Sequence, residues 1–402
     1  MKKVAIIGTA GVPGRYGGFE TLAHQLVLQL NQQFQLAVYC SSKFYSKAER
    51  QKYWNGARLH YLPLNANGAQ SILYDFLSII HALFYADTLL VLGVSGGLLI
   101  PFVKLFTNKK IIINIDGQEW RRAKWNKYVK AFLKFSEIVA VRYADADITD
   151  NAALKRYTAI NYKTLSHLIE YGADHTQTEK LTEADYLKYP FLRNPYAFKV
   201  CRIEPENNVH MILQAFATLP QKTFVMVGNW QNSHYGQQLK KQFRDYPNIH
   251  LLDPIYHQKS LDKLRSNCFL YIHGHSAGGT NPSLVEAMYL GRPIITFDVS
   301  YNQVTTEYKA FYFKTAHDLI HQLKHLKIPD YKANAERMKA IANKRYTWKM
   351  IAAKYAQLIY AFDYDYQKSA VHAASSKIEY EELLTMGRAQ LKSPQLFYQD
   401  NE

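Results

Sequence analysis

Short apolar runs rich in β-branched residues alternate along the chain with longer stretches whose apolar positions recur every three to four residues. A first series of expected strands is Val4–Gly8, Gln35–Cys40, Leu89–Val94, Ile111–Ile115 and Ala146–Thr149. A second series follows at Phe198–Ile203, Phe224–Gly228, His250–Leu252, Phe269–His273, Ile294–Phe297 and Phe311–Phe313. Such alternation builds βαβ units around a parallel sheet, and its running twice predicts two doubly wound α/β domains facing a cleft. The segment Tyr171–His175 and the polar stretch Thr176–Asp185 are expected to join them. Ligands of open α/β sheets sit beyond the carboxyl ends of the strands. The loops after Gly8, Ile115, Thr149, Ile203, Gly228 and His273 are therefore the first places to look for chemistry. Trp348, Ile351, Ala352, Tyr355, Leu358 and Ile359 recur at helical spacing and predict an amphipathic helix over Thr347–Tyr360. The tail Asp363–Glu402 holds another helical run near Tyr380–Leu391 and no chemical motif.

The most apolar stretch, Thr88–Val103, is uncharged but is broken by Gly93, Gly96, Gly97 and Pro101. It falls short of the roughly 20 residues a spanning helix needs and reads as a buried strand, a glycine turn and a short helix. The opening run is likewise interrupted at Gly8, too early for a signal peptide. With 402 residues, 48% of them hydrophobic and 20% charged, the chain has the balance of a folded soluble protein of about two domains. Lysine and arginine total 49 against 33 acidic residues, a formal charge of +16, which favours polyanionic or membrane-surface partners. No helix-turn-helix, zinc-finger or RNP-like motif accompanies this charge, so nucleic acid is not expected. The three cysteines, Cys40, Cys201 and Cys268, form no CxxC pair, and neither a disulfide framework nor a zinc site is indicated.

Three loops carry candidate chemistry. Gly8–Glu20 leads from the first strand into an amphipathic helix, and its glycines would let backbone N–H groups approach a phosphate or sugar, with a purely structural tight turn as the alternative. Its spacing is neither GxGxxG nor GxxxxGK[ST]. The stretch Tyr271–Met288 passes from a strand through small polar residues into a helix. There the Gly279 and Thr280 amides suit a diphosphate, and Glu286, one turn inside, suits a ribose diol. A serine N-cap with a solvated Glu286 is the structural alternative. The third constellation joins Asn114–Arg122 to Asp150-Asn151, carboxylates at strand ends where a general base or an acceptor-orienting group would sit, although Asp150 could equally cap the following helix. The pair Asp145 and Asp147 is read as a chance DxD, and His273 with His275 as backbone or substrate contacts rather than metal ligands.

These residues resemble retaining glycosyltransferases of family 4, and more closely the bacterial rhamnosyltransferases of capsule and cell-wall polysaccharide assembly. The resemblance rests on Gly11-Val12-Pro13 with Tyr16–Thr21, Asp116–Trp120, Cys201–Asn208, and His273–His275 with Gly279–Ser283, and extends to about Tyr360. It implies the GT-B architecture of two Rossmann-like domains. An acceptor-binding domain would span 1–177 and a nucleotide-sugar-binding domain 178–346, with a last helix at about 347–365 returning to the first and an extension of unknown role at 366–402. It implies a dTDP-L-rhamnose donor, a lipid-diphosphate-linked saccharide acceptor and no metal or other cofactor. The donor site would comprise Gly17, Gly18, Arg202, Asn207, His275, Gly278, Gly279, Thr280, Asn281, Ser283 and Glu286. Tyr16, Phe19, Glu20, Asp116, Glu119 and Trp120 would hold the acceptor, with Asp116 or Asp150 acting on its hydroxyl and Arg202 on the leaving diphosphate. Two positions depart from the family pattern. Gly278 stands where the first glutamate of a pair is usual, and Asn207 where a lysine follows the arginine by five positions. Losing one charge-assisted contact costs about 1.5–3 kcal/mol, so another group must compensate or the donor sits differently.

From Trp120 to Phe135, Arg121, Arg122, Lys124, Lys127, Lys130 and Lys134 interleave with Trp120, Trp125, Tyr128, Phe132 and Phe135, the composition of a basic amphipathic helix that meets anionic lipid, with an ordinary domain helix carrying a solvated lysine face as the alternative. Together with a lipid-linked acceptor this predicts a cytoplasmic protein peripheral to the inner face of the bacterial plasma membrane. Transfer of another hexose from a UDP or GDP donor, or a degenerate sugar-nucleotide-binding scaffold, are the competing expectations.

Overall fold

The computed structural model describes residues 1–15, 17–122 and 125–369. The chain forms two compact units, one made of Met1–Glu170 with the segment from Trp348 onward, the other of Tyr171–Thr347. In the first unit the strands are β1 (Lys3–Ile7), β2 (Gln35–Ser41), β3 (Tyr53–Trp54), β4 (Ala57–Leu62), β5 (Thr88–Leu92), β6 (Lys110–Asn114), β7 (Ala146–Thr149) and β8 (His167–Leu168). They line up as β3-β4-β2-β1-β5-β6-β7-β8, parallel except for the short β3–β4 pair. Ile6 of β1 sits between Val38 and Leu90. The central strands β5 and β6 are apolar on both sides because helices cover both faces. These helices are α1 (Gly18–Leu30), α2 (Ser71–Ala82), α3 (Ile100–Phe106), α4 (Lys127–Tyr143) and α5 (Ala152–Tyr162). The apolar stretch from Thr88 is thus strand, glycine turn and short helix. Among the described residues no helix is long and apolar enough to cross a membrane.

The second unit holds β9 (Tyr196–Val200), β10 (Thr223–Val227), β11 (Ile249–Leu252), β12 (Leu270–His273), β13 (Ile294–Phe297) and β14 (Phe311–Phe313), ordered β11-β10-β9-β12-β13-β14. All its pairs are parallel, and Phe198 lies between Val225 and Tyr271. Its helices are α6 (Glu183–Lys188), α7 (Val209–Ala217), α8 (His234–Phe243), α9 (Gln258–Asn267), α10 (Pro282–Tyr289), α11 (Ser300–Thr305), α12 (Ala316–His325) and α13 (Ile328–Arg345). Each sheet reverses its strand order once, between β1 and β5 in the first unit and between β9 and β12 in the second. Neighbouring connections there leave on opposite faces and open a crevice beyond the strand ends.

The last helix, α14 (Trp348–Ala361), packs on α1 in the first unit. Asn114 Nδ2 donates to Tyr355 Oη at 3.0 Å, and Lys354 pairs with Glu170 at 2.6 Å. The run near Tyr380–Leu391, like everything beyond residue 369, lies outside the described residues.

Two sequence expectations change. The segment Thr176–Asp185 is not a free connection. The Gln177 and Glu179 N–H groups donate to Asp262 and Ser266 of α9, while Lys263 pairs with Asp185 at 2.6 Å. The Lys263 hydrogen bonds hold the Asp185 carboxyl down at about 2. The division accordingly falls at Tyr171, and Ala173 N–H donates to Tyr346 O at the other end of the same unit. The residues from Cys201 to Ile203, expected in a strand, leave the sheet after Val200 to form the crevice loop.

Candidate functional site

In the second unit the loops after β9 and β12 meet at the point where strand order reverses. Ser276 N–H and Oγ both donate to Glu206 O, at 2.8 and 2.9 Å, and Asn208 Nδ2 donates to Gly274 O at 2.9 Å. A Cβ on Gly274 would collide with Asn207 O, so glycine is what lets the two loops approach this closely. Arg202 projects from the first loop with 43% of its side chain exposed, its Nε 3.8 Å from Glu204 Oε2. Asn207, expected to reach the donor, turns inward instead. It is buried, and its Nδ2 donates to Arg202 O at 2.6 Å. A buried amide can satisfy a carbonyl where a lysine would carry its charge outward, so Asn207 shapes the turn that presents Arg202.

Across this loop Gly278 adopts φ +129°, and among the described residues no heavy atom lies within 4 Å of where its Cβ would sit. Gly279 and the buried Thr280 continue the loop to Asn281. The N-cap of α10 is Asn281 rather than a serine. Its Oδ1 accepts from Ser283 N–H at 3.1 Å and from Ser283 Oγ at 2.8 Å, with Pro282 opening the helix. His275 stacks on His273 with centroids 4.3 Å apart and planes 10° from parallel. Asn302 Nδ2 holds His275 O at 2.9 Å.

Glu286 is neither solvated nor idle. Its Oε2 lies 2.6 Å from Arg265 Nη1 and its Oε1 3.2 Å from His175 Nε2. Burial alone would raise its carboxyl, but Arg265 and His175 outweigh burial and hold it below the ordinary glutamate value. Arg265 is itself 2% exposed, and the same Nη1 lies 3.5 Å from Asp262 Oδ1. Sequence reading missed both partners, since His175 lay in the expected connection and Arg265 in an unremarked helix. Lys199 was missed altogether, and His273, expected as a backbone or substrate contact, is a core residue. Both are fully enclosed, and burial pulls both below their ordinary values, with Lys199 adding to the effect on His273.

A pH dependence follows. Because the folded state lowers the Glu286 carboxyl, its stabilising contribution is complete above the unfolded value near 4.5 and is lost as pH falls through the lower folded value. Melting temperatures measured downward from pH 5 should therefore decline, and Glu286→Gln should flatten that decline. An unchanged slope would remove Glu286 from the acid response.

In the first unit the loop after β1 is pinned over residues 9–14. Glu20 is buried and accepts from Ala10 N–H at 2.8 Å and Thr9 Oγ1 at 3.3 Å. Burial pushes its carboxyl up despite these bonds, and the Asp116 charge adds to the rise. Expected to touch an acceptor, Glu20 thus also ties the end of its helix to the loop. Tyr74 Oη donates to Thr9 O at 2.9 Å, Tyr45 Oη to Pro13 O at 3.1 Å, and Gly14 N–H to His24 Nδ1 at 3.1 Å. Gly17 precedes α1 at φ +125°, where any Cβ would run into the Glu20 carboxylate. Gly18 is exposed and Phe19 half-buried near Gly93. The glycine turn after β5, beside this loop at the strand reversal, was not among the anticipated site loops. Tyr16 lies outside the described residues.

Asp116 is half-exposed at φ +59°, and its N–H donates to Asn114 Oδ1 at 3.1 Å. Asn151, not Asp150, caps α5 by accepting from Ala153 N–H at 2.9 Å. Burial raises the Tyr355 hydroxyl, and the nearby Asp150 charge adds to the rise. The expected basic helix begins later than its composition suggests. Asn126 caps α4 through Tyr128 and Val129 N–H, so Trp120–Trp125 precedes it. Arg122 turns inward, 2.8 Å from Glu119 and 3.9 Å from Asp116, and Glu119 also accepts from Trp125 Nε1 at 3.0 Å. Neither Arg122 nor Glu119 is therefore free for an outside partner. Arg121 covers the half-buried Trp120 ring at 5.1 Å. Lys127 is exposed, Lys130 half-buried, and Lys124 lies outside the described residues. The pair Asp145 and Asp147 is structural. Asp145 binds Lys104 at 2.9 Å, whereas Asp147 is buried against Thr164, Ser166 and Lys368.

Residues 188–343 match the family model described as Glycosyl transferases group 1, and residues 1–174 match a Domain of unknown function (DUF1972). No curated protein matches the chain by sequence. Among solved structures, sucrose-phosphate synthase (tll1590) from Thermosynechococcus elongatus is similar at 14% identity and TM-score 0.73, over 90% of this chain and 99% of that one. Alr3699/HepE of Anabaena, in complex with UDP and glucose, is similar at 14% identity and TM-score 0.67, over 89% and 99%. The trehalose 6-phosphate synthase of Burkholderia multivorans is similar at 10% identity and TM-score 0.67, over 90% and 97%. The two-unit parallel α/β architecture is the GT-B fold, and its second unit carries a glycosyltransferase group 1 domain.

Proposed function

We propose that the protein is a retaining glycosyltransferase that moves L-rhamnose from dTDP-L-rhamnose to a lipid-diphosphate-linked saccharide, in capsule, exopolysaccharide or cell-wall polysaccharide synthesis at the inner membrane face. The observation that carries the sugar-nucleotide part is the crevice at the β9–β12 reversal. One of the two loops that meet there carries an exposed guanidinium and the other is an open glycine loop leading into a capped helix, both inside the segment that matches the glycosyltransferase model. The motif resemblance supports the rhamnosyl part and the lipid-linked acceptor.

Charge develops on the departing diphosphate, so Arg202 and the Gly279 and Thr280 amides act there, as fixed donors that need no reorganisation. Glu286, its charge fixed by Arg265, accepts a ribose hydroxyl with the lone pairs its ion pairs leave over. Asn281 and Ser283 hold the helix start, and His275 lines the loop. Asp116 or Asp150 orients or deprotonates the acceptor hydroxyl. No metal takes part in this reading, and EDTA should leave the rate unchanged. Asp150→Asn should lower kcat by about 10²–10⁴-fold with donor Kd unchanged, as loss of a general base does. Wild-type kcat in both this variant and Asp116→Asn would exclude both.

Purified protein offered dTDP-, UDP- and GDP-sugars with a synthetic lipid-diphosphate sugar tests the reading. Rhamnose transferred with its anomeric configuration retained is expected. Use of UDP-glucose alone would favour hexose transfer, a second reading prompted by the UDP and glucose in the HepE complex. Binding without transfer from any donor would leave a sugar-nucleotide-binding scaffold.

A further inference from the structure

Helices α2, α3 and α4 share one core in the first unit, contributed by Tyr74, Ile79, Ile100, Val103, Leu133 and Ala140 among others. Two glycines let them lie side by side. A Cβ on Gly96 would press on Ile79 and Asp75 of α2, and one on Gly97 on Ser136 and Ala140 of α4. Their outer sides are unusual for a protein surface. Along α2, Leu73, Leu77, Ile80 and, just past its end, Phe84 recur at one-turn spacing and are exposed, Phe84 to 84%. On α3, Leu105 and Phe106 are three-quarters exposed and Phe102 nearly two-thirds. On α4, exposed Tyr128, Phe135 and Tyr143 alternate with exposed Lys127, Lys134 and Arg142. Scattered apolar residues are normal on a surface, whereas three adjacent helices presenting them together mark an interaction site.

Charge selects the partner. The acidic residues of the three helices, Asp75 and Glu137, are both buried, and Asp145, just beyond α4, is paired with Lys104. The outward side of these helices therefore carries cations and no exposed carboxylate. A two-fold dimer through this surface would set like charges against each other. An anionic lipid bilayer matches both features, taking the aromatic and aliphatic tips into the headgroup boundary and the lysines and arginine against phosphate.

We propose that the outer surface of α2, α3 and α4 docks on anionic lipid bilayers. The surface keeps the α4 part of the Trp120–Phe135 segment that sequence alone suggested, leaves out Arg122 and Trp125, which are engaged within the protein, and adds an apolar part from α2 and α3. Its purpose, bringing the enzyme to a lipid-linked acceptor, rests on the proposed reaction, but the docking itself does not.

The test is flotation of the full chain with phosphatidylcholine vesicles, with and without phosphatidylglycerol. Binding is expected only with the anionic lipid and should weaken as salt shortens the Debye length from about 10 Å at 0.1 M to about 3 Å at 1 M. Phe84→Glu with Leu105→Glu, and separately Lys134→Glu with Arg142→Glu, should each reduce binding by about tenfold or more. Because all four side chains are exposed, melting temperatures should stay at the wild-type value, which separates lost docking from lost folding. Equal binding to both vesicle types, no binding, or binding indifferent to both variants would overturn the proposal, as would a dimer in sedimentation that either variant dissociates. Vesicle binding kept in a protein that transfers no sugar would leave the docking standing and remove the reaction. Transfer to a soluble acceptor without vesicle binding would do the reverse.

Discussion

Arg202→Ala is expected to lower kcat by about 10²–10³-fold, because it removes a donor aimed at the charge that develops on the leaving diphosphate. Donor affinity should fall with it by roughly tenfold, the low end of what a charge-assisted hydrogen bond contributes. The fold should not notice. The side chain is 43% exposed, and the turn is held through the Arg202 carbonyl, which Asn207 grips whatever side chain stands there. Steady-state rates, titration calorimetry with donor and a thermal melt separate these effects. Arg202→Lys should recover part of the rate, since a point charge remains but the planar fork is gone. Full activity in Arg202→Ala would mean that the diphosphate is neutralised elsewhere, with the buried Lys199 the first alternative to examine.

Arg265→Met should be the most damaging single substitution for stability. It fills a similar volume but leaves the buried Glu286 and Asp262 carboxylates facing an apolar chain, and breaking one side of a buried pair costs about 3–5 kcal/mol. In urea unfolding the midpoint should drop with little change in slope. Adding Glu286→Gln should return part of the loss, because the stranded charge is then gone. If the double variant is no more stable than Arg265→Met, the Arg265–Glu286 pair is not the source. Donor binding reads out the functional side of the same contact. In Arg265→Met, measured at a temperature where the protein is folded, affinity should fall because Glu286 is no longer held at its place beside the glycine loop.

The parallel strands were legible because central strands covered by helices on both faces become continuous apolar runs, as Ile111–Ile113 and Leu89–Leu92 do. Strand β4, with Arg58 and His60 in Ala57–Leu62, lies beside β2 away from the centre and lacks such a run, so its pattern was silent. Composition also misled at Thr176–Asp185, where polar residues suggested a free joint. Their backbone and carboxylates instead satisfy α9, an arrangement that only the folded chain brings together. At the candidate site the glycines and Arg202 could be read, since a strand–loop–helix transition with small residues has a local signature. Asn207 could not, because its inward turn depends on the carbonyl it meets. Nor could His175 and Arg265, which reach Glu286 across long stretches of chain and leave no periodic mark. The basic segment showed its charge in sequence but not its direction. Whether an arginine faces solvent or a neighbouring glutamate is decided by where the helix begins, and here Asn126 sets that start.

Hydrogen exchange of the full chain, with and without the nucleotide sugar that raises its melting temperature, bears most directly on the donor site. Saturating donor should slow exchange in peptides covering Cys201–Asn208 and Gly274–Glu286, the two loops at the β9–β12 reversal. Unchanged exchange in both segments, with protection found only elsewhere in the chain, would contradict the account.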